Sequence, residues 1–169
     1  MNARLAEWNA LDEHQAMEAM LACCGSRRWA RAMVALRPLA TLAKLSEEAD
    51  RLWSAMEESD WMEAFACHPR IGERRNGNAT GQSAKWSQQE QACSVVAGEP
   101  VLMQLAEGNR QYEERFGFTY IVCATGKSAA EMLATLNRRL TSDRSSELRE
   151  AAEQQRQIMQ IRLGKWLVS

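Results

Sequence analysis

Apolar residues recur along most of this chain at intervals of three and four, the spacing that lines one face of an α-helix. Between Asp12 and Cys24 the face carries Met17, Met20 and Leu21, with Asp12 placed to cap and Gly25 to stop the helix. Ser26 opens a second stretch, where Trp29, Met33 and Leu36 repeat up to Pro38. A third is predicted from Ser46 with Ala49, Leu52, Trp53 and Met56 inward, and a short fourth from Ser59 or Asp60 to Cys67. Residues 72–86 are polar and glycine-rich and read as a loop of functional length. Ser87-x-x-Glu90 has the form of a capping box opening the next helix. From Glu99, the positions Leu102, Leu105, Ala106 and Tyr112 define a helix that ends at Phe116-Gly117. Ser128 starts another, with Met132, Leu133, Leu136 and Leu140 inward, and Ser145 or Ser146 starts the last.

Only Phe118-Thr-Tyr-Ile-Val-Cys123 concentrates β-favouring residues. With no second run to pair with, it is predicted to thread the core as a short extended segment, its backbone amides and carbonyls left to bind something else. The pattern therefore predicts an all-α, single-domain bundle spanning 1–169, with about seven to eight helices and one extended segment. Three prolines, nine glycines and few β-branched residues agree with a helical class. The tryptophans and methionines fall on the stripes and read as core.

Charge and targeting narrow the function. The net charge is −1, from 21 basic and 22 acidic residues, which gives no electrostatic case for a nucleic-acid partner. No apolar run reaches membrane-spanning length, the first residues lack a signal-peptide core, and cytoplasmic location is the expectation. Five cysteines, Cys23, Cys24, Cys67, Cys93 and Cys123, include no Cys-x-x-Cys pair and are expected as free thiols. His14 and His68 are distant in sequence, and no Cys/His cluster has zinc spacing, so no metal site is predicted.

Candidate chemistry starts at His68. Pro69 biases it out of the α region, so the imidazole sits where a helix must end, ahead of a glycine-containing loop. Imidazole titrates near neutrality and suits proton transfer, although dipole pairing or simple exposure would also explain a histidine at a helix end. In the last helix the stripe runs Leu148, Ala152, Gln155, Met159 and Arg162, spaced four, three, four and three. Arg162 thus occupies an apolar lane, and must either snorkel outward or meet an anion inward.

His68-Pro69-Arg70-Ile71-Gly72, Ser87-x-x-Glu90-Gln91, Tyr112-Glu-Glu-Arg-Phe116-Gly117-Phe118, Gly126-Lys127, Arg138-Arg139-Leu140 and Ile158-x-x-x-Arg162-Leu163 follow one another in this order. Together they resemble the OHCU decarboxylase family, from about residue 11 to residue 163, the N-terminal helices by pattern alone. Arg70-Ile71-Gly72 stands where some members carry Asp-Leu-Ala-Gly. The resemblance implies an all-α, often dimeric enzyme that decarboxylates 2-oxo-4-hydroxy-4-carboxy-5-ureidoimidazoline (OHCU) to (S)-allantoin during uric acid breakdown, with no cofactor. It also implies His68, Glu90 and Arg162 as catalytic residues. Substrate contacts would come from Pro69, Ser87, Gln91 and the backbone of Tyr120, Ile121, Val122, Cys123 and Ala124. A different lyase or hydrolase on the same fold, or a helical adaptor, are the competing classes; an adaptor would not need the His-Pro element.

Overall fold

The computed structural model describes residues 2–72, 81–92 and 98–169. Cys93 and most of the predicted 72–86 loop lie outside them. Nine helices occur among the described residues: α1 Ala3–Ala10, α2 Glu13–Cys23, α3 Arg27–Ala35, α4 Leu42–Ser54, α5 Glu58–Ala66, α6 Gly81–Glu90, α7 Glu99–Phe116, α8 Ala129–Arg139 and α9 Arg144–Trp166. The class is all-α, with no strand among the described residues. None of these helices is long and apolar enough to cross a membrane. The chain forms two compact units, Met1–Ala64 with Arg156–Ser169, and Phe65–Gln155.

In the first unit, helices α1 to α4 each start on a side-chain cap. Asn2, Asp12, Ser26 and Thr41 accept from the backbone N–H of Leu5, Gln15, Trp29 and Lys44 in turn. The core is aromatic and sulfur-rich, with Trp8, Trp29, Met20 and Met33 fully or almost fully buried. Both deep indoles find an acceptor: Trp8 Nε1 donates to the Ala16 carbonyl at 3.1 Å and Trp29 Nε1 to that of Ala49 at 3.0 Å. Trp8 meets Trp166 edge-on at 6.1 Å. Arg37 closes the C-terminal end of α1, donating to the carbonyls of Trp8 and Leu11 at 2.9 and 2.8 Å, where a cation also suits the helix dipole.

Helices α1, α4 and α9 start elsewhere than the pattern predicts, as does α6. Helix α1 was not anticipated, because a two-turn element with only Leu5 and Trp8 buried leaves almost no periodic signal. Helix α4 begins after Thr41, not at Ser46, whose hydroxyl instead donates to Gln160 Oε1 at 2.8 Å. Helix α9 begins at Arg144, ahead of the serines. Asp143 accepts there from the Ser146 N–H at 2.9 Å and from the hydroxyls of both Ser145 and Ser146. These hydrogen bonds, those of Ser146 foremost, hold the Asp143 carboxyl well below the usual carboxylate range.

The second unit carries the long α7, packed on α8. Pro100 stands in the first turn of α7, and Gly117 in the left-handed conformation (φ 81°) ends it as expected. Tyr112 and Phe116 face inward with Phe65, Phe118 and Tyr120 in one aromatic cluster, ring centroids 4.6–6.3 Å apart. Ala106 is exposed, and Gly108 and Asn109 take the buried positions of that turn. The close approach needs the glycine, since a Cβ at 108 would stand 2.6 Å from Leu136 Cδ2. Ser128 opens α8 with a complete capping box to Glu131.

Candidate functional site

Helix α5 ends at Ala66, and the His68 N–H bonds back to the Phe65 carbonyl at 3.1 Å. The imidazole therefore leaves the helix where Pro69 demands, half-buried beside a buried proline ring. Downstream, three contacts pin the loop. The Arg70 guanidinium forks onto Glu113 of α7 at 2.6 and 2.8 Å. Asn109 Nδ2 donates to the Ile71 carbonyl at 2.9 Å, and the Gly72 N–H reaches Gln91 Oε1 at 3.3 Å. Gly72 has φ 84°, a conformation that disfavours any side chain.

Ser87 and Glu90 do not form an N-terminal capping box. Helix α6 runs from Gly81 to Glu90, so both residues lie in its last turn, where the Ser87 carbonyl accepts from the Gln91 N–H at 3.1 Å. Residues 81–86, expected in a loop, are its first part. Ser87 is 2% exposed and Glu90 9%. A carboxylate at a helix C-terminus opposes the dipole, and burying it raises the cost further. Glu90 is thus held there at the expense of its own helix.

The segment after Phe118 is extended and buried, as the pattern predicted. Its polar groups divide by parity. The Ile121 carbonyl accepts from Arg139 Nη1 at 2.7 Å, the Cys123 N–H donates to Gln154 Oε1 at 2.8 Å, and the Cys123 carbonyl accepts from Lys127 Nζ at 2.5 Å. The odd-numbered residues are thus fixed by side chains from α8, from α9 and from the turn before α8. Successive residues of an extended chain point their backbone groups to opposite sides, so Tyr120 and Val122 present theirs along the other edge. Ala124 belongs to that edge too, although its carbonyl accepts from the Lys127 N–H at 3.0 Å. The Cys123 backbone, expected to contact a ligand, thus also bonds Gln154 and Lys127.

Arg139 is the unanticipated anchor. The pattern placed Leu140 inward, yet Arg139 is 2% exposed and Leu140 only half-buried. Its guanidinium pairs with the equally buried Glu147 at 2.8 Å and donates to Tyr112 Oη at 3.2 Å. Tyr112 passes the bond on to Glu147 Oε2 at 2.6 Å. Burial pushes both the Tyr112 and Tyr120 hydroxyls far above the ordinary phenol range, which keeps them protonated donors. Burial alone would lower Arg139, but Tyr112, Glu147 and Tyr120 around it raise it above its ordinary value. The network clamps the extended segment from behind.

Gln155 is a polar member of the α9 stripe. It is fully buried, and His68 Nε2 lies 2.5 Å from its Oε1. Arg162, the other polar member of that stripe, does not snorkel: it is 2% exposed. Cys23, of the same unit, has its thiol pushed strongly up by burial, with Arg162 pulling the other way, and stays an unreactive thiol. Cys23, Cys24, Cys67 and Cys123 are thiols outside any disulfide among the described residues, as expected. No group of three or more His, Cys, Asp or Glu side chains among the described residues is placed to hold a metal ion.

An all-α fold whose imidazole leaves a proline-locked helix end, in the unit that also carries the buried extended segment, defines the class. A model of the family described as OHCU decarboxylase matches residues 9–164, and the chain belongs to that family. A crystal structure of an OHCU decarboxylase in the presence of (S)-allantoin superposes with a TM-score of 0.77 at 31% identity, covering 88% of this chain and 96% of that one. An (S)-allantoin synthase structure, 16% identical, shares the fold with a TM-score of 0.71 over 96% of this chain and 53% of its own. Among sequences, the chain is 34% identical to the uric acid degradation bifunctional protein TTL of Arabidopsis thaliana, over 85% of its own length but 44% of the plant protein's. It is 30% identical to the OHCU decarboxylase of Mus musculus, over 79% of this chain and 75% of that one.

Proposed function

We propose that this protein decarboxylates OHCU to (S)-allantoin and CO2 in uric acid breakdown. The observation that carries the reading is the likeness, over nearly the full length of both chains, to an OHCU decarboxylase solved in the presence of (S)-allantoin. The chemistry fits a site without a resident cofactor. When the C–CO2 bond breaks, its electron pair moves to the former carboxylate-bearing carbon and on into the adjacent ring C=N, whose nitrogen takes a proton. The resulting enol then gives up its hydroxyl proton and gains one at the ureido-bearing carbon. A protein therefore has to hold the carboxylate, move one or two protons, and protonate a single face.

His68 serves as general acid/base on the substrate's hydroxyl or ring, and Glu90 balances its charge. The burial of Glu90 at a helix C-terminus, where the dipole disfavours a carboxylate, supports that role. Arg162 anchors the carboxylate electrostatically, which a buried guanidinium does far better than one in water. Pro69, Ser87 and Gln91 contact the substrate, Gln91 while also holding Gly72. The backbone of residues 120–124 recognises the ureido and ring amides through the Tyr120 and Val122 edge. The protein acts as a homodimer, as the family resemblance implies, and in the cytoplasm, as expected from its sequence.

The test is incubation with OHCU generated enzymatically in the same cuvette, following optical activity as well as rate, because OHCU decays unaided to racemic allantoin. Wild type should give optically active product. His68→Asn should lose about 10²–10⁴-fold in rate, the worth of general acid–base catalysis, and drift to the racemate. A His68→Asn protein with full rate and full stereoselectivity would place the proton chemistry elsewhere.

A further inference from the structure

Neighbouring residues of α9, Gln154 and Gln155, serve two different elements of one unit. They are about 100° apart around the helix, so one reaches the extended segment at Cys123 while the other reaches His68. Only Gln155 is fully buried, and only one end of its amide is used. Oε1 sits 2.5 Å from His68 Nε2, whereas Nε2 finds no hydrogen-bond partner among the described residues. Buried amide nitrogens are rarely left without an acceptor, and one bonded through its carbonyl to a proton-handling imidazole calls for an explanation.

Solvent is excluded from this amide, and its two ends are complementary. A carbonyl oxygen facing the imidazole accepts only an N–H, so it fixes the proton on His68 Nε2 and leaves Nδ1 as the basic nitrogen. The amide nitrogen, rigidly coplanar with that oxygen, then offers its N–H groups immediately beside the ring. We propose that Gln155 orients both the catalytic histidine and the substrate, holding His68 through Oε1 and donating from Nε2 to a carboxylate or carbonyl oxygen of the bound molecule. This rests on the decarboxylase reading for the identity of the ligand. The contact to His68 and the unpartnered amide stand apart from it.

Two substitutions separate the two ends. Gln155→Glu keeps an acceptor toward His68 but replaces the donor by an anionic oxygen; Gln155→Met keeps the length and removes both. A hydrogen bond to a charged oxygen is worth roughly 10- to 100-fold, so KM for OHCU should rise by about tenfold or more in both variants, and further in Gln155→Glu. Turnover should stay within about threefold of wild type in Gln155→Glu and fall by about tenfold or more in Gln155→Met, a split that a merely structural role would not produce. With only two histidines in the chain, ¹⁵N-histidine spectra of His14→Gln isolate His68, whose neutral form should carry its proton on Nε2. Unchanged KM in both variants, an Nδ1-protonated His68, or loss of folding in both variants overturns the proposal. A wild-type protein that leaves OHCU untouched overturns the decarboxylase reading instead. The His68 tautomer, lost to Nδ1 protonation in Gln155→Met but kept in Gln155→Glu, then decides the histidine-orienting half alone. Where OHCU is turned over, the side-chain NH2 signal of Gln155 must also shift when (S)-allantoin is added, and a signal that stays fixed refutes the substrate contact.

Discussion

Replacing Arg139 by methionine tests whether the buried network behind the extended segment supports both stability and binding. The guanidinium is 2% exposed, pairs with Glu147 at 2.8 Å, and holds the Ile121 carbonyl at 2.7 Å. Methionine fills much of the same volume, so the change removes charge and hydrogen bonds more than packing. The Glu147 carboxylate would remain buried, with Tyr112 Oη as a donor at 2.6 Å and no counter-charge from Arg139. Breaking one partner of a buried pair typically costs about 3–5 kcal/mol, against a total stability of about 5–15 kcal/mol for a domain. Urea unfolding should therefore show the midpoint of Arg139→Met lowered by a large fraction of its wild-type value. Adding Glu147→Leu removes the stranded charge, and the double variant should regain most of the loss. It should still fall about 1–3 kcal/mol short of wild type, because the Ile121 carbonyl keeps no donor. Its KM should stay raised, since the segment is no longer clamped in register. An Arg139→Met protein within about 1 kcal/mol of wild type, or a double variant no more stable than the single, would refute the account of the network.

Two further outcomes are expected. Glu90→Gln should lower turnover by about 10²-fold or more while the melting temperature holds or rises, because an uncharged side chain suits the C-terminal turn of α6 better; kinetics and a thermal melt on one preparation check this, and normal turnover would reduce Glu90 to a structural residue. Asp143 is held below the ordinary carboxylate range in the folded protein, so its contribution is present above the unfolded-state pKa and is lost as pH falls through the folded one. Melting temperature followed from neutral to acidic pH should accordingly fall less steeply in Asp143→Asn than in wild type, and identical profiles would show that this cap carries no acid sensitivity.

Helices announced themselves in the sequence where a capping residue adjoined a wide apolar stripe. Asp12, Ser26 and Ser128 met that condition, and α2, α3 and α8 begin just after them. Helix α6 did not. Of its ten residues only Trp86, Ser87 and Glu90 are buried, so no apolar period marks it and its glycine and polar residues imitate a loop. The same stretch misled the reading of Ser87-x-x-Glu90. A serine and a glutamate three apart are N-cap and N3 at a helix start, but one-turn neighbours on a single face anywhere inside a helix. Sequence spacing does not separate the two, and only the position of the helix end does.

The site was legible wherever a residue's chemistry limits its backbone, as Pro69 does for His68, and obscure where a polar side chain shares a lane with apolar ones. In α8, Leu136 is followed at plus three by Arg139 and at plus four by Leu140, and hydrophobicity chose Leu140. The structure turns the arginine inward instead, because Glu147, Tyr112 and the Ile121 carbonyl together satisfy it. Gln155 and Arg162 occupy one lane of α9, yet the charge of Arg162 drew attention and the neutral amide of Gln155 did not. Burying any of the three without partners would cost more than a typical core residue contributes, so each reports a polar environment that no neighbouring residue in sequence encodes. Partners for Arg139 come from residues up to 27 positions away, and His68 reaches Gln155 across 87. A polar residue on the buried stripe of a helix is therefore the sequence signal most worth pursuing in this fold, whatever its charge.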